Sequence, residues 1–304
     1  MTITDRARPG VAAALAVAAL LAVSCSSAPT STTATTPVAP ATGGPATTGT
    51  TAPTSGTTPV TTVGTTAPAR VKATMTGERE VSGAYRQGLA RFEDGWIFST
   101  NVALYRTDDA LTEGVKNEAA IPPDWLARGY NHIGDIDIVD GIIYAPVEQP
   151  DYDLAKQAVF RFDAATLTFL DAVEVPQHHN SFISVDPATH VAYSTDQFTD
   201  DALVRYDIDK AWAPLPPIPL GTTIGHIQGG DLAAGAFWLS TDDEGDGLYR
   251  VDLDAGRTDR VGSLGHPDGE GEGIDTTPLP DGLLHAISID PKLLPVFLEH
   301  FAVA

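Results

Sequence analysis

The chain has 304 residues with 18 basic and 40 acidic side chains, and its formal net charge at pH 7 is −22. All of the acidic residues except Asp5 follow residue 69. This acidity argues against nucleic acid as a partner, because phosphate backbones are bound through lysine and arginine. Since Cys25 is the only cysteine, the chain has no internal disulfide and no multi-cysteine metal site.

The N-terminus begins with a basic segment, Arg6 and Arg8, that precedes a short apolar run. This pattern predicts a secretory signal peptide over residues 1–25, and the run is shorter than the ~20 residues of a membrane-spanning helix. Residues 21–25, Leu-Ala-Val-Ser-Cys, resemble the lipobox of bacterial lipoproteins. The resemblance implies that Cys25 is lipidated and anchors an extracytoplasmic protein to the cell membrane. The alternative is an ordinary signal peptide in which Cys25 is incidental.

Residues 26–69 contain only Ser, Thr, Ala, Pro, Gly and Val. A segment of this composition cannot bury enough apolar surface to offset the entropy lost on ordering. We therefore predict a disordered Thr/Pro/Ala-rich linker that acts as a spacer. Residues 70–304 are long enough to form one large globular domain.

Repeats organise this domain. Four stretches share a strand, a turn with Asp or Gly, and a strand with an aromatic residue: GLARFEDGWIFSTN, DIDIVDGIIYAPVE, FISVDPATHVAYSTD and GGDLAAGAFWLSTDD. A weaker fifth repeat reads GIDTTPLPDGLLHAISID. Strand-rich repeats at a spacing of about 40–50 residues predict an all-β protein, a β-propeller. We expect five blades, with residues 73–81 closing the ring as the missing outer strand. Six blades are the alternative if residues 107–131 contain another blade.

Equivalent positions of propeller blades meet around a central channel. When the repeats are aligned on their first turn, His132, His178 and His226 fall at the same position, and Glu272 lies one step away. The sequence therefore predicts that three histidines and a carboxylate surround one channel mouth. Five neighbouring side chains are predicted to bind a ligand there: Gln87, Asp135, His179, Gln228 and Glu270.

The chemistry of such a mouth has several interpretations. His132, His178 and His226 could bind one divalent metal ion (Zn, Mn or Fe), since neutral imidazole is the commonest protein ligand of such ions. Without a metal, Glu272 and a histidine could perform acid–base chemistry. The histidines could also only hydrogen-bond strand ends and water.

Acidic loops should lie on the same face: Glu148, Asp151 and Asp153, then Asp196, Asp200 and Asp201, then residues 242–246. The run Asp-Asp-Glu-Gly-Asp-Gly that starts at Asp242 has the early oxygen ligands of an EF-hand, but position 12 is Leu253 instead of Glu. An EF-hand is rejected, whereas a looser Ca²⁺ site and a solvated acidic turn both remain open.

Two tripeptides carry a family resemblance. Gln87-Gly88-Leu89 and Glu272-Gly273-Ile274 are similar to the Q-G-L and E-G-[LI] motifs that begin inner strands in bacterial and plant glutamine cyclotransferases. The resemblance implies a five-bladed propeller with cyclotransferase activity. The three histidines depart from the pattern of that family, and lactonase-like and lyase-like propellers are about as similar.

Three functions are consistent with the sequence. The first is a binding module that captures a small molecule, or an envelope protein or peptide, at the His/Glu channel mouth. The second is an enzyme that uses the same site, as a metal-dependent hydrolase or lyase or as a cyclotransferase. The third is a structural envelope protein.

Overall fold

The computed structural model describes residues 71–196, 199–290, 292 and 294–304. The predicted signal peptide, Cys25 and the predicted linker lie outside the described residues. Within the described ranges, no helix combines the length and the apolar character needed to cross a membrane. Strands are by far the most common regular secondary structure in the described residues, as the repeats predict.

Five sheets form a ring of blades. The first strand of the chain, β1 (Ala73–Val81), belongs to the last blade. Blade 1 contains β2 (Gly88–Phe92), β3 (Gly95–Ser99), β4 (Leu104–Asp108) and β5 (Glu113–Asn117). A short helix, α1 (Pro123–Leu126), leads to blade 2. The inner strand of blade 2 is in two pieces, β6 (His132–Ile133) and β7 (Asp137–Val139), followed by β8 (Ile142–Glu148), β9 (Gln157–Asp163) and β10 (Phe169–Val175).

The remaining blades follow the same order from the channel outwards. Blade 3 contains β11 (Ser184–Asp186), β12 (Val191–Ser194), β13 (Thr199–Asp207) and β14 (Ala213–Gly225). Blade 4 contains β15 (Ile227–Ala233), β16 (Ala236–Thr241), β17 (Gly247–Asp252) and β18 (Arg257–Ser263). Blade 5 contains β19 (Glu270–Asp275), β20 (Leu284–Ile289) and β21 (Val296–Val303), with β1 as its outer strand. Two 3₁₀ helices, Tyr152–Leu154 and Ile208–Lys210, lie in loops of blades 2 and 3.

The N-terminal strand closes the ring. β1 pairs antiparallel with β21 from Ala73 opposite Val303 to Val81 opposite Val296. This pairing covers the outer edge of β21, which would otherwise expose unpaired backbone groups. Five blades and closure by residues 73–81 are therefore confirmed. The six-bladed alternative is wrong, because residues 107–131 hold only the end of β4, the outer strand β5 and helix α1 between blades 1 and 2.

The core lies between adjacent blades. Aromatic rings of neighbouring blades meet there: Phe182 is 5.8 Å from Phe237, and Tyr144 is 6.3 Å from Trp212, between ring centroids. Because each middle strand packs against a blade on both sides, both of its faces are apolar, and every residue of β3 is buried. This two-sided burial explains why the repeats read as nearly continuous apolar runs.

Side chains at equivalent points of the inner strands tie each blade to the next. The Asp137 carboxylate of blade 2 accepts a hydrogen bond from the Val185 amide of blade 3 (2.6 Å). Similar hydrogen bonds recur around the ring. The Leu232 amide donates to the Ser184 hydroxyl. The Thr276 amide donates to the Asp231 carboxylate, and the Arg91 amide donates to the Asp275 carboxylate. The repeats are therefore related by rotation about the channel, which is the premise on which the predicted site depends.

Candidate functional site

A polar cavity lies at the end of the channel where the inner strands begin, which we call the upper mouth. Its volume is about 180 Å³. The lining residues are Gln87, His132, Gly134, Glu148, Tyr152, His179, Ser181, Gln228 and Glu272. Every blade contributes to this set, because each inner strand enters the channel from the same face. Such a convergence of polar side chains in a concave site is typical of small-molecule binding sites.

The floor of the channel is formed by Asp135, which is 1% exposed. Its Oδ1 accepts a hydrogen bond from the Leu89 amide of blade 1 (3.1 Å), and its Oδ2 accepts from the Gly230 and Ile274 amides of blades 4 and 5 (3.3 and 3.1 Å). The backbone of Asp135 pairs with blade 3 through Ser181 and Ile183. Asp135, predicted to bind a ligand, therefore has a carboxylate that joins blade 2 to blades 1, 4 and 5.

Glu272 is the buried acid of the cavity, with 7% of its surface exposed. Burial raises the pKa of the Glu272 carboxyl well above its ordinary value, and Glu270 and Asp242 raise it further. Arg86 and its positive charge act against this rise in pKa. A carboxyl in this environment favours the protonated form, which can donate a hydrogen bond or a proton.

Two histidines face the cavity in their neutral form. Burial lowers the pKa of His132, and it lowers the pKa of His179 to about 4, with a further contribution from His226. Nε2 of His179 lies 3.6 Å from Oε1 of Glu148. Burial raises the pKa of Glu148, whose Oε1 also accepts a hydrogen bond from the Asn180 amide. The site therefore combines imidazoles that can accept a proton with carboxyls that can donate one.

The predicted residues divide into two groups. Five of them line the cavity: Gln87, His132, His179, Gln228 and Glu272. His178 instead faces Asp196, at 3.3 Å from Nδ1 to Oδ2, and its side chain is 45% exposed. His226 and Glu270 are exposed and are not among the residues that line the cavity. His132, His178 and His226 are thus not assembled as one set of ligands.

A fixed count from the turn does not reach equivalent side chains in every blade, because the inner strands are irregular. The inner strand of blade 2 is interrupted between Ile133 and Asp137, and the pairing of β15 shifts between Ile227 and Gly229. A shift of one residue moves a side chain to the opposite face of a strand. In blade 3 the count gave His178, and the residue that lines the cavity there is its neighbour His179.

Four lining residues were not predicted as site residues: Gly134, Glu148, Tyr152 and Ser181. Glu148 was assigned only to an acidic loop on this face, whereas Tyr152 and Ser181 were not singled out. Glu148 ends β8 opposite His132, so its position next to the channel follows from strand pairing. Tyr152 comes from the 3₁₀ helix that follows β8, and no pattern in the sequence indicates that helix.

Candidate metal ligands lie away from the upper mouth. Among the described residues, two groups of three have ligand atoms within 4.8 Å of one another: Asp281, His285 and His300, and Glu78, His266 and Glu299. Neither group contains the predicted histidines or the carboxylates of residues 242–246. In that acidic loop, the Asp243 carboxylate already accepts hydrogen bonds from the Gly247 amide and the Tyr249 hydroxyl.

The comparisons with known proteins found similar solved structures but no sequence family. No protein-family model matches the sequence, and no curated protein matches it. The crystal structure of Myxococcus xanthus glutaminyl cyclase aligns with a TM-score of 0.54 and 12% identity, over 78% of this chain and 100% of that chain. Regucalcin, a calcium-binding protein of Agrobacterium tumefaciens, aligns with a TM-score of 0.42 and 14% identity, over 69% of this chain and 74% of that one.

A nidogen/laminin complex aligns with a TM-score of 0.43 and 10% identity, over 62% of this chain and 67% of that chain. At these identities the likeness is one of fold. The glutaminyl cyclase alignment agrees with the five-bladed propeller that the two tripeptides predicted.

Proposed function

We propose that this chain is an exported, lipid-anchored β-propeller that binds a small polar molecule in the upper-mouth cavity. The observation that carries the proposal is the convergence of Gln87, His132, His179, Gln228 and Glu272 from all five blades on one cavity. The cavity volume of about 180 Å³ is well above the ~10–15 Å³ that a single water molecule requires in the same measure, so the cavity has room for a small molecule. We propose an occupant of the size of a small amide.

The lining decides the chemical class of the ligand. The side chains of Gln87 and Gln228 both donate and accept hydrogen bonds, as an amide ligand requires. His132 and His179 are neutral near pH 7 because burial lowers the pKa of each. Among the described residues, no lysine or arginine lines the cavity, so an anionic ligand would have no cationic partner there. An uncharged amide or an amine is the class that this lining favours.

Thermal unfolding of the full chain against a panel of amino acids, amino-acid amides and short peptides tests the binding proposal. We expect at least one amide or amine to raise the Tm, because a ligand that binds only the folded state stabilises it. Gln228→Phe places an apolar ring in the cavity and should abolish that rise. Glu244→Gln, an exposed change on the same face, should not affect it. The proposal fails if every compound acts equally on wild type and Gln228→Phe.

A second candidate function is cyclotransfer on an N-terminal glutaminyl group, the activity named for the Myxococcus neighbour. The observation that favours it is that Gln87 and Glu272, from the two family-like tripeptides, line the same cavity. In this reaction the α-amine attacks the side-chain carboxamide carbon, a five-membered ring forms, and ammonia leaves. The protonated Glu272 carboxyl would supply the proton to the leaving nitrogen, and a neutral histidine would accept the proton of the amine.

Glu272→Gln separates binding from catalysis. If the chain is a cyclotransferase, we expect ammonia release from a glutaminyl dipeptide amide to fall at least ~100-fold, because a general acid is lost. Binding of the dipeptide by calorimetry should remain within about tenfold of wild type, since glutamine has the same shape. Glu244→Gln should retain full activity. Absence of ammonia release in the wild type would reject catalysis and leave the binding function.

Anchoring is tested separately at Cys25. The lipobox-like residues 21–25 and the uncharged segment that follows support a lipid anchor with a spacer. In a bacterial host we expect the wild-type chain in the membrane fraction and Cys25→Ser in the soluble extracytoplasmic fraction. Ser24→Ala keeps a small residue before Cys25 and should remain in the membrane fraction. Membrane retention of Cys25→Ser would argue for an ordinary signal peptide.

A further inference from the structure

A second cluster of metal-ligating side chains lies where the ring closes, far from the inner strands. Glu78 is on the closing strand β1, Glu299 is directly opposite on β21, and His266 lies between β18 and β19. Their ligand atoms are all within 4.8 Å of one another. Nε2 of His266 is 3.4 Å from Oε2 of Glu78 and 3.9 Å from Oε1 of Glu299. Two blades and the closing strand thus place three ligand atoms around one point.

The imidazole of His266 is held in position for a partner at Nε2. This nitrogen is buried and makes no hydrogen bond. The ring stacks on Phe297, with centroids 4.2 Å apart and an angle of 15° between the planes. Its other nitrogen, Nδ1, faces the Asp290 carboxylate at 3.8 Å. Histidine ligands commonly direct their second ring nitrogen at a carboxylate. At 3.8 Å the contact is electrostatic, and it favours a proton on Nδ1, which leaves the lone pair on Nε2.

The Glu299 carboxylate is also fixed before any ion binds. Its side chain is 0% exposed, the Gly265 amide donates to both of its oxygens (3.1 and 2.9 Å), and the Ser288 hydroxyl donates to Oε1 (2.5 Å). Glu78 is 46% exposed and can admit an ion from solvent. Two rigid ligands and one mobile ligand form a site that requires little rearrangement on binding.

We propose that Glu78, His266 and Glu299 bind one divalent transition-metal ion, Zn²⁺ or Mn²⁺, which fastens β1 to blade 5. Ligand atoms at about 2.1 Å from a tetrahedral ion lie ~3.4 Å from one another, so the observed distances need only a small contraction. One imidazole with two carboxylates is a ligand set that suits these ions. Ca²⁺ is disfavoured, because it takes oxygen ligands alone.

The group of Asp281, His285 and His300 does not compete with this assignment. Nδ1 of His285 already lies 2.7 Å from Nδ1 of His300, and Nε2 of His285 lies 2.8 Å from the Thr277 carbonyl oxygen. The carbonyl makes Nε2 the donor, so Nδ1 accepts the hydrogen bond from His300. The two imidazoles therefore satisfy each other without an ion.

A metal at this site would act on the closure of the ring. β1 is the outer strand of blade 5, and it is also the strand that follows the N-terminal segment of the chain. An ion that binds Glu78 together with Glu299 and His266 is bound only when β1 is paired with β21. Binding therefore stabilises the closed ring, and the stabilisation increases with the logarithm of the metal concentration once the site is mostly occupied.

Calorimetric titration of the full, tag-free chain after dialysis against a chelator tests the proposal, with ZnCl₂, MnCl₂ and CaCl₂ as separate probes. We expect one equivalent of Zn²⁺ or Mn²⁺ to bind and to raise the Tm, and CaCl₂ to have no such effect. Glu78→Gln removes one exposed ligand and should weaken binding at least tenfold while the fold is retained by circular dichroism. Glu80→Gln, on the same strand and also exposed, should bind as the wild type does.

Two results would overturn the assignment. One is that neither Zn²⁺ nor Mn²⁺ binds the wild-type chain stoichiometrically. The other is that Glu78→Gln and His266→Gln both bind as tightly as wild type, while His300→Gln loses the ion, which would place the metal at the Asp281 group. The Tm shift is read without any ligand of the upper mouth, so it is independent of the proposed binding function.

Discussion

Asp135→Ala is expected to lower the free energy of unfolding by about 3 kcal/mol or more. The carboxylate accepts hydrogen bonds from the Leu89, Gly230 and Ile274 amides. The methyl group of alanine cannot accept any of these hydrogen bonds. Each buried N–H without an acceptor costs about 1–3 kcal/mol. Since domains are stable by only about 5–15 kcal/mol, this single change removes a large fraction of the total.

Asp135→Asn provides a graded comparison. Whichever way the new amide is oriented, its NH₂ group faces at least one backbone N–H, so we expect a smaller loss of about 1–3 kcal/mol. Asp140→Asn is the matched control, because Asp140 is exposed and its positive φ of 52° suits asparagine. Urea denaturation of the three variants measures the differences. If both Asp135 variants have the same midpoint urea concentration of unfolding as the wild type, the carboxylate does not hold the blades together.

The fold could be predicted from the sequence because each blade repeats the same local chemistry. The Asp140-Gly141 turn, with φ of 52° and 75°, joins the inner strand β7 to the second strand β8, as the Asp-Gly pattern indicates. The strand at residues 73–81 could be assigned because the fifth repeat lacked an outer strand. The repeating unit of the sequence is therefore one blade, and the geometry of the blade determines that the blades close into a ring.

The site could be predicted only in part, since side-chain direction depends on strand irregularities that the sequence does not mark. His132 and Glu272 were placed at the channel by the alignment of the repeats, and both lie in inner strands, β6 and β19. His179 was chosen only as a neighbour of His178, although it is His179 that lines the cavity. Tyr152 could not be predicted, because it reaches the cavity from a short helix with no repeat partner in the other blades.

The two tripeptides that carried the family resemblance have a structural explanation besides a catalytic one. Gly88 and Gly273 lie against each other beside Asp135, where the Gly273 amide donates to the Gln87 carbonyl. A Cβ at Gly88 would lie 2.4 Å from the Asp135 Cα atom. The glycines are needed so that inner strands can approach Asp135, whatever reaction or ligand the mouth serves. The tripeptides therefore predict a five-bladed ring more strongly than they predict cyclotransfer.

Gly273→Ala is the second change with a large expected effect. Its Cβ would lie 2.2 Å from Oδ1 of Asp135 and 2.6 Å from Cα of Gly88, and the backbone atom of Gly88 cannot move without displacing blade 1. We expect the free energy of unfolding to fall by about 3 kcal/mol or more, the upper range of overpacking in a core. The cavity should be lost as well, because Glu272 is the preceding residue.

Gly83→Ala is the control that isolates the steric cause. No atom lies within 4 Å of the added methyl group at Gly83, so this change should alter the free energy of unfolding by less than about 1 kcal/mol. If Gly273→Ala unfolds at the same urea concentration as Gly83→Ala, the inner strands do not approach each other as closely as the ring requires. That result would also contradict the hydrogen bonds of Asp135 to blades 1 and 5. The packing of Gly88 and Gly273 and the hydrogen bonds of Asp135 therefore test the same close approach of the inner strands by two different changes.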